Sequence, residues 1–182
     1  MGLTLSNDDR GHITALLNNG VLQKVQGDSF PTPAGVILVT CGDGDHFQNI
    51  YWLFRTQLIC PGERERIHVL SRNGGALLLA PQAPRRVEGL LREIEEACTL
   101  KGIEATALCS HAPCGVARSY SLTVARSIDL LIQGKRFARS YMEARKPTMR
   151  FACFLHVHHG GDEKEIYFIS ASHWDAVRAQ FL

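Results

Sequence analysis

Cys41, His111 and Cys114 are the residues of this chain whose types and spacing best suit chemistry. Two thiols and an imidazole make a soft ligand set of the kind that holds zinc. In His111-Ala-Pro-Cys114 the three-residue step lets one tight turn present both side chains to a single ion, and Pro113 stiffens that turn. Cys41 closes an apolar run, Val36-Ile-Leu-Val-Thr40, and the His-x-x-Cys segment closes a second, Ala105-Thr-Ala-Leu-Cys109. If both runs are parallel strands, their C-terminal ends bring the ligands together at one edge of a sheet, where open α/β sheets build their sites. Three protein ligands leave a tetrahedral ion one open position, which is the arrangement of a catalytic site. By spacing alone the same residues also read as two buried thiols and a loop histidine. Three coincidences favour the metal: both ends follow apolar runs, Asp43 lies two residues after Cys41, and Arg72-Asn73-Gly74-Gly75 intervenes.

Elements to carry these residues can be traced along the chain. Ser6-Asn-Asp-Asp caps a helix running to about Leu17, ended by Asn18-Asn-Gly20. Val21 to Ser29 reads as a polar connection, and residues 1–30 as an N-terminal helical arm. The crowded apolar stretch Phe47 to Phe54 reads as a helix packed deep in the molecule or against a partner. Ile67-His-Val-Leu70 is another strand, after the Pro61-Gly62 break that follows Cys60. Arg86 to Lys101 is the clearest helix, with Val87, Leu90, Leu91, Ile94, Ala97 and Cys98 on one face and Gly102 at its end. A further helix is expected from about Ser119 to Gln133, ended by Gly134. Phe151 to His158 and Glu165 to Ser170, joined by Gly160-Gly161-Asp162, read as a hairpin at one side of the sheet. His173 to Leu182 closes the chain as a short helix. Alternating strands and helices imply an α/β fold: a mainly parallel central sheet flanked by helices, with a C-terminal hairpin strand.

Composition narrows the classes. At 182 residues, with 45% hydrophobic and 21% charged residues, residues 1–182 fit one domain. A net charge of +2 with scattered arginines argues for neither nucleic acid nor a membrane surface. No segment reaches the roughly 18 apolar residues of a membrane-spanning helix, and the N-terminus lacks the pattern of a signal peptide. A cytoplasmic protein is expected. Of the six cysteines, Cys98, Cys109 and Cys153 sit in apolar periodic segments and read as small buried residues rather than disulfide partners.

The combination of Cys41-Gly-Asp43-Gly-Asp45, Arg72-Asn73-Gly74-Gly75 and His111-Ala-Pro-Cys114-Gly115 resembles the β-class carbonic anhydrases. Their pattern is Cys-x-Asp-Ser-Arg after the first strand, His-x-x-Cys after the third, and an Arg-Asn segment between. The resemblance covers roughly Thr32 to Ser170. It implies zinc held by Cys41, His111 and Cys114, and reversible hydration of carbon dioxide to bicarbonate by zinc-bound hydroxide. Asp43 would orient that hydroxide, or swing onto the metal as a fourth ligand. Carbon dioxide, a small neutral substrate, would sit beside Gly74 and Gly75, with Arg72 and Gly115 nearby. A homodimer or higher homo-oligomer is implied, with the Phe47–Phe54 segment or the N-terminal helix in the contact. The chain departs from the pattern at Gly44-Asp45, where the family has Ser-Arg. Zinc with two thiolates is neutral. Asp43 adds one negative charge, and Asp45 adds a second where the family's arginine would cancel the first. Such charge disfavours ionisation of a bound water, and predicts activity weak at neutral pH. Arg72 could compensate. Two alternatives therefore stand: a zinc-binding, non-catalytic relative with a binding or regulatory role, and a hydrolase of carbonyl sulfide or carbon disulfide.

The remaining histidines read less sharply. His46 reads as a loop residue or a proton shuttle. His156 and His158 fall on one face of their strand and, with His159, read as a polar stripe on an edge strand before a second metal site.

Overall fold

The computed structural model describes residues 3–25, 30–58, 66–84 and 89–182. A six-stranded sheet is ordered β1-β6-β5-β4-β2-β3. Its parallel half comprises β2 (Val36–Thr40), β3 (Ile67–Ser71), β4 (Ala105–Ala112) and β5 (Arg150–Gly160); β6 (Glu163–Ile169) and β1 (Leu22–Lys24) add on antiparallel. Every residue of β2 and β4 is buried, as expected of strands covered on both faces.

Helices cover the sheet on both sides. One face carries α1 (Asn7–Asn18), α3 (Leu90–Lys101), α5 (Val124–Glu143), α6 (Ala171–Val177) and the short helical turn Gly75–Leu79, which together enclose the larger core. The other carries α2 (Gly44–Leu53), continued by a wider helical turn, Phe54–Leu58, over a smaller core that includes Ile50, Phe54 and Phe154. Phe54 and Phe154 meet edge to face at 5.0 Å, both fully buried. Each such side chain contributes about 1.5–3 kcal/mol on burial. Ser6 caps α1 by accepting from the Asp9 N–H, as its sequence signals. Ile13 and Leu16 of α1 join the chain's own core, and Arg118 donates to the Thr4 carbonyl at 2.8 Å. The arm is thus fastened to its own body.

Several expectations are corrected. The polar connection after Gly20 contains β1: Leu22 is buried and pairs with Ile169. Residues 26–29 of that connection lie outside the described ones, as do Cys60, Pro61-Gly62 and residues 85–88. Helix α3 begins at Leu90, because Gly89 takes a left-handed φ of 92° that no helix can pass through. Ser119 ends a separate short helix, α4 (Gly115–Ser119), and Thr123 caps α5. Gly134 does not stop α5. A Cβ there would lie 3.1 Å from that of Leu79 and 3.2 Å from the Ala80 nitrogen; this glycine lets a helix and the Gly75–Leu79 turn approach closely. The C-terminal helix starts at Ala171 and gives way to a tighter turn at Arg178. Strand β5 is interior, between β4 and β6, and His156 on it is fully buried. A polar stripe on an edge strand is therefore not what these histidines form.

Candidate metal centre

Cys41 is the first residue after β2, His111 the penultimate residue of β4, and Cys114 the N-cap of α4. Parallel pairing of β2 with β4 aligns Val39 with Leu108, which carries both strand ends to one edge. The two sulfurs and an imidazole nitrogen of His111 lie within 4.8 Å of one another, all three residues buried.

Backbone groups hold the set in place. The Gly74 N–H donates to Cys41 Sγ at 3.3 Å. Gly75 follows with φ +53°, and a Cβ on it would meet the Cys41 nitrogen at 2.5 Å. Only glycine fits here, so the Gly74-Gly75 pair is first a cradle for Cys41. His111 Nδ1 lies 2.8 Å from the Pro113 carbonyl, to which it donates, after the cis Ala112–Pro113 bond. That fixes the tautomer. Nε2 is left as a lone pair, buried and with no hydrogen-bond donor aimed at it among the described residues. An orphaned imidazole nitrogen beside two thiols is the donor set a zinc ion requires.

Electrostatics point the same way. The Cys114 thiol donating to it, against the opposing effect of burial, and then His111 and the Gly74 N–H, hold the Cys41 thiol far below its usual range. The same hydrogen bond and burial push Cys114 up. The pair shares one proton, which a cation would displace. Burial dominates at Cys109 and Cys153, outweighs their hydrogen bonds and nearby charges, and pushes both thiols up.

Asp43 is the N-cap of α2, and its Oδ1 accepts from the Asp45 N–H at 3.0 Å. Its carboxylate also lies within 4.8 Å of ligand nitrogens of His46 and His111. Asp45 is exposed. Arg72 turns outward and pairs with Glu93 of α3, and no ion pair joins a cation to Asp43 among the described residues. Gly115 opens α4, with Leu3 against it. A cavity of about 330 Å³ reaches His111 and Cys114 from the side of the arm, where Ser6, Asp9, Arg118 and Thr123 line its mouth.

Sequence reasoning missed the backbone supports, since nothing in the residue types marks the Pro113 carbonyl or the Gly74 N–H. It also underrated His46. This histidine is buried against His111, ring centres 4.3 Å apart and tilted 32°. Its place one turn into a helix begun by Asp43 was a readable signal. Burial, then the neighbouring His111, lower its pKa to about 4. Burial, then His46, lower that of His156 to about 3.

The fold is that of the β-carbonic anhydrases. No family model matches the sequence, and no curated protein matches it. Among solved structures, a point variant of a β-carbonic anhydrase from Aspergillus fumigatus aligns with TM-score 0.51 and 15% identity, over 82% of this chain and 99% of that one. A β-carbonic anhydrase from Trichomonas vaginalis aligns with TM-score 0.47 and 12% identity, over 91% and 99%. A carbon disulfide hydrolase aligns with TM-score 0.37 and 11% identity, over 81% and 82%. The fold assignment rests on the first of these. No helix among the described residues is long and apolar enough to cross a membrane.

Proposed function

We propose that this protein binds one zinc ion at Cys41, His111 and Cys114 and catalyses the reversible hydration of carbon dioxide. The observation that carries the reading is the convergence of two thiols and an orphaned His111 Nε2 within 4.8 Å at the strand ends. A zinc ion held there would lower the pKa of a bound water and so supply a hydroxide nucleophile. The chain's own groups do the rest. The Gly74 N–H steadies the Cys41 thiolate, and the Pro113 carbonyl keeps the His111 proton on Nδ1. Asp43 spends one oxygen on its helix cap, and its carboxylate is placed to accept a hydrogen bond beside His111. Leu155 and Val124 give the neighbouring cavity an apolar wall for a small neutral substrate. A reducing cytoplasmic setting agrees with five free cysteines among the described residues. Assembly as a homodimer would cover Trp52, 59% exposed on α2.

A second reading is a zinc-binding relative without catalysis. It is favoured by one observation, that Asp43 has no ion-pair partner among the described residues while Arg72 is committed to Glu93. Stopped-flow hydration assays across pH decide between the two. The zinc-loaded protein should hydrate carbon dioxide, faster toward alkaline pH, and Cys114→Ser should lose both zinc and activity. A zinc-loaded protein inactive at every pH selects the second reading. Full zinc retention in both Cys41→Ser and Cys114→Ser overturns the ligand assignment.

A further inference from the structure

Against His111 stands a second group of imidazoles. The ring of His46 on α2 lies 5.4 Å from that of His156 and 5.9 Å from that of His158, both on β5. His156 is wholly buried, yet neither of its ring nitrogens has a hydrogen-bond partner among the described residues; nor does the buried His46 Nδ1. A neutral imidazole carries one N–H and one lone pair, and burying both unmet is costly. Nearly all buried polar groups in folded proteins are satisfied, so such orphans mark where something else belongs. His158 lies 2.9 Å through Nε2 from the Gly161 carbonyl, to which it donates, and this leaves Nδ1 as a lone pair.

We propose that His46, His156 and His158 form a second metal site, for a divalent transition-metal ion of the kind that prefers imidazole, beside the thiolate site. The ring spacing supports it. With a metal–nitrogen distance of about 2 Å, two imidazoles on one tetrahedral ion have centres about 5 Å apart. The His46–His156 and His46–His158 separations sit close to that value. The His46–His111 pair, at 4.3 Å, is a stack instead, which leaves His111 to the thiols. His156 and His158 project from the same face of their strand, as a chelating pair must. The three nitrogens are not yet gathered: the sets already within 4.8 Å are Cys41–His111–Cys114 and Asp43–His46–His111. His158 is only partly buried and adjoins the bulge between His158 and Gly160. It is the ligand that swings in. Asp43, within reach of both His46 and His111, lies between the two sites.

The charges also call for a second cation. Cys41 and Cys114 as thiolates, with Asp43 and Asp45, bring four negative charges to this edge of the sheet. One divalent ion cancels half, and Arg72 is occupied by Glu93. A second divalent ion would offset most of the rest, with Asp45 exposed and partly screened by solvent. The charge argument rests on the zinc reading of the thiolate site, whereas the orphaned imidazoles do not depend on it.

Cobalt(II) is a suitable probe, because thiolate ligation gives it a strong near-ultraviolet charge-transfer band that imidazole ligation lacks. The protein, stripped with chelator, reloaded and desalted, is expected to retain two cobalt ions per chain, one of them accompanied by that band. His158→Gln, at a partly exposed position the fold tolerates, should keep the band and weaken the second ion's affinity at least about tenfold. The double variant Cys41→Ser/Cys114→Ser should keep one ion and lose the band. A single ion with the band in the wild type overturns the second site and leaves the proposed function standing. A single ion without the band does the reverse. Two ions held equally well in His158→Gln also overturn the proposal.

Discussion

Asp129 and His156 are both polar and both buried, on opposite faces of the sheet, and the fold treats them in opposite ways. Asp129 on α5 has its carboxylate filled by the protein. Oδ1 accepts from Trp174 Nε1 at 3.1 Å and Arg178 Nε at 2.6 Å; Oδ2 accepts from Arg126, Gln133 and the Arg178 guanidinium. Burial raises its pKa, but Arg178 and Trp174 outweigh that and hold it below the ordinary value. His156 has nothing on either nitrogen. The contrast separates two uses of buried polarity. A group satisfied from within fastens elements together, here α5 to α6 and the turn beyond it. A buried imidazole unmet on both nitrogens, with a second imidazole against it, is where a ligand belongs.

Three substitutions follow from the largest expected effect to the smallest, and the last two test that contrast. Gly75→Ala places a methyl 2.5 Å from the Cys41 nitrogen at a φ of +53°. Overpacking and backbone strain together should cost about 3 kcal/mol or more. Chemical denaturation with metal analysis should find a destabilised protein that has also lost thiolate-site zinc. Asp129→Ala should cost about 2–3 kcal/mol, since it leaves Trp174 Nε1 buried without an acceptor, while metal content stays unchanged. The wild type carries the matching pH signature. Because the folded pKa of Asp129 lies below the unfolded value of 3.8, its contribution is present above that pH and declines as pH falls toward the folded value. Acid unfolding curves of the two proteins should converge there. His156→Phe has the smallest effect and the informative sign. In chelator-treated protein it should change stability by less than about 1 kcal/mol or raise it, because no hydrogen bond is lost. A loss as large as that of Asp129→Ala would mean His156 is satisfied from within, and the contrast would fail.

The sequence made the thiolate set legible because ligand chemistry and strand ends are both written locally. Cys41 and His111 each follow a run of apolar residues, and the step from His111 to Cys114 needs no knowledge of distant contacts. The parallel sheet was legible for the same reason, through the unbroken apolar character of β2 and β4. What was not legible depends on which elements touch. Leu22 looks polar by its neighbours and becomes a strand through pairing with Ile169. Gly134 looks like a helix terminator, and only its contact with Leu79 explains why the helix runs through it. His156 and His158 announced a shared face, but whether that face meets water or His46 is set by the sheet order. Asp45 stood out as a charge anomaly, and the second group of imidazoles that gives it meaning is assembled from α2 and β5.

That close contact at Gly134 gives α5 the part of a gauge block. Its missing side chain sets how near the Gly75–Leu79 turn comes to the helix axis, and the turn in turn abuts the peptide of Cys41 at Gly75. A thickness fixed by one hydrogen atom in the middle of a helix is thereby passed through two contacts to a sulfur at the sheet edge. The dimensional tolerance of the candidate metal centre is set at a position that carries no chemistry, and drift in the sequence there would detune the ligand set without altering any ligand.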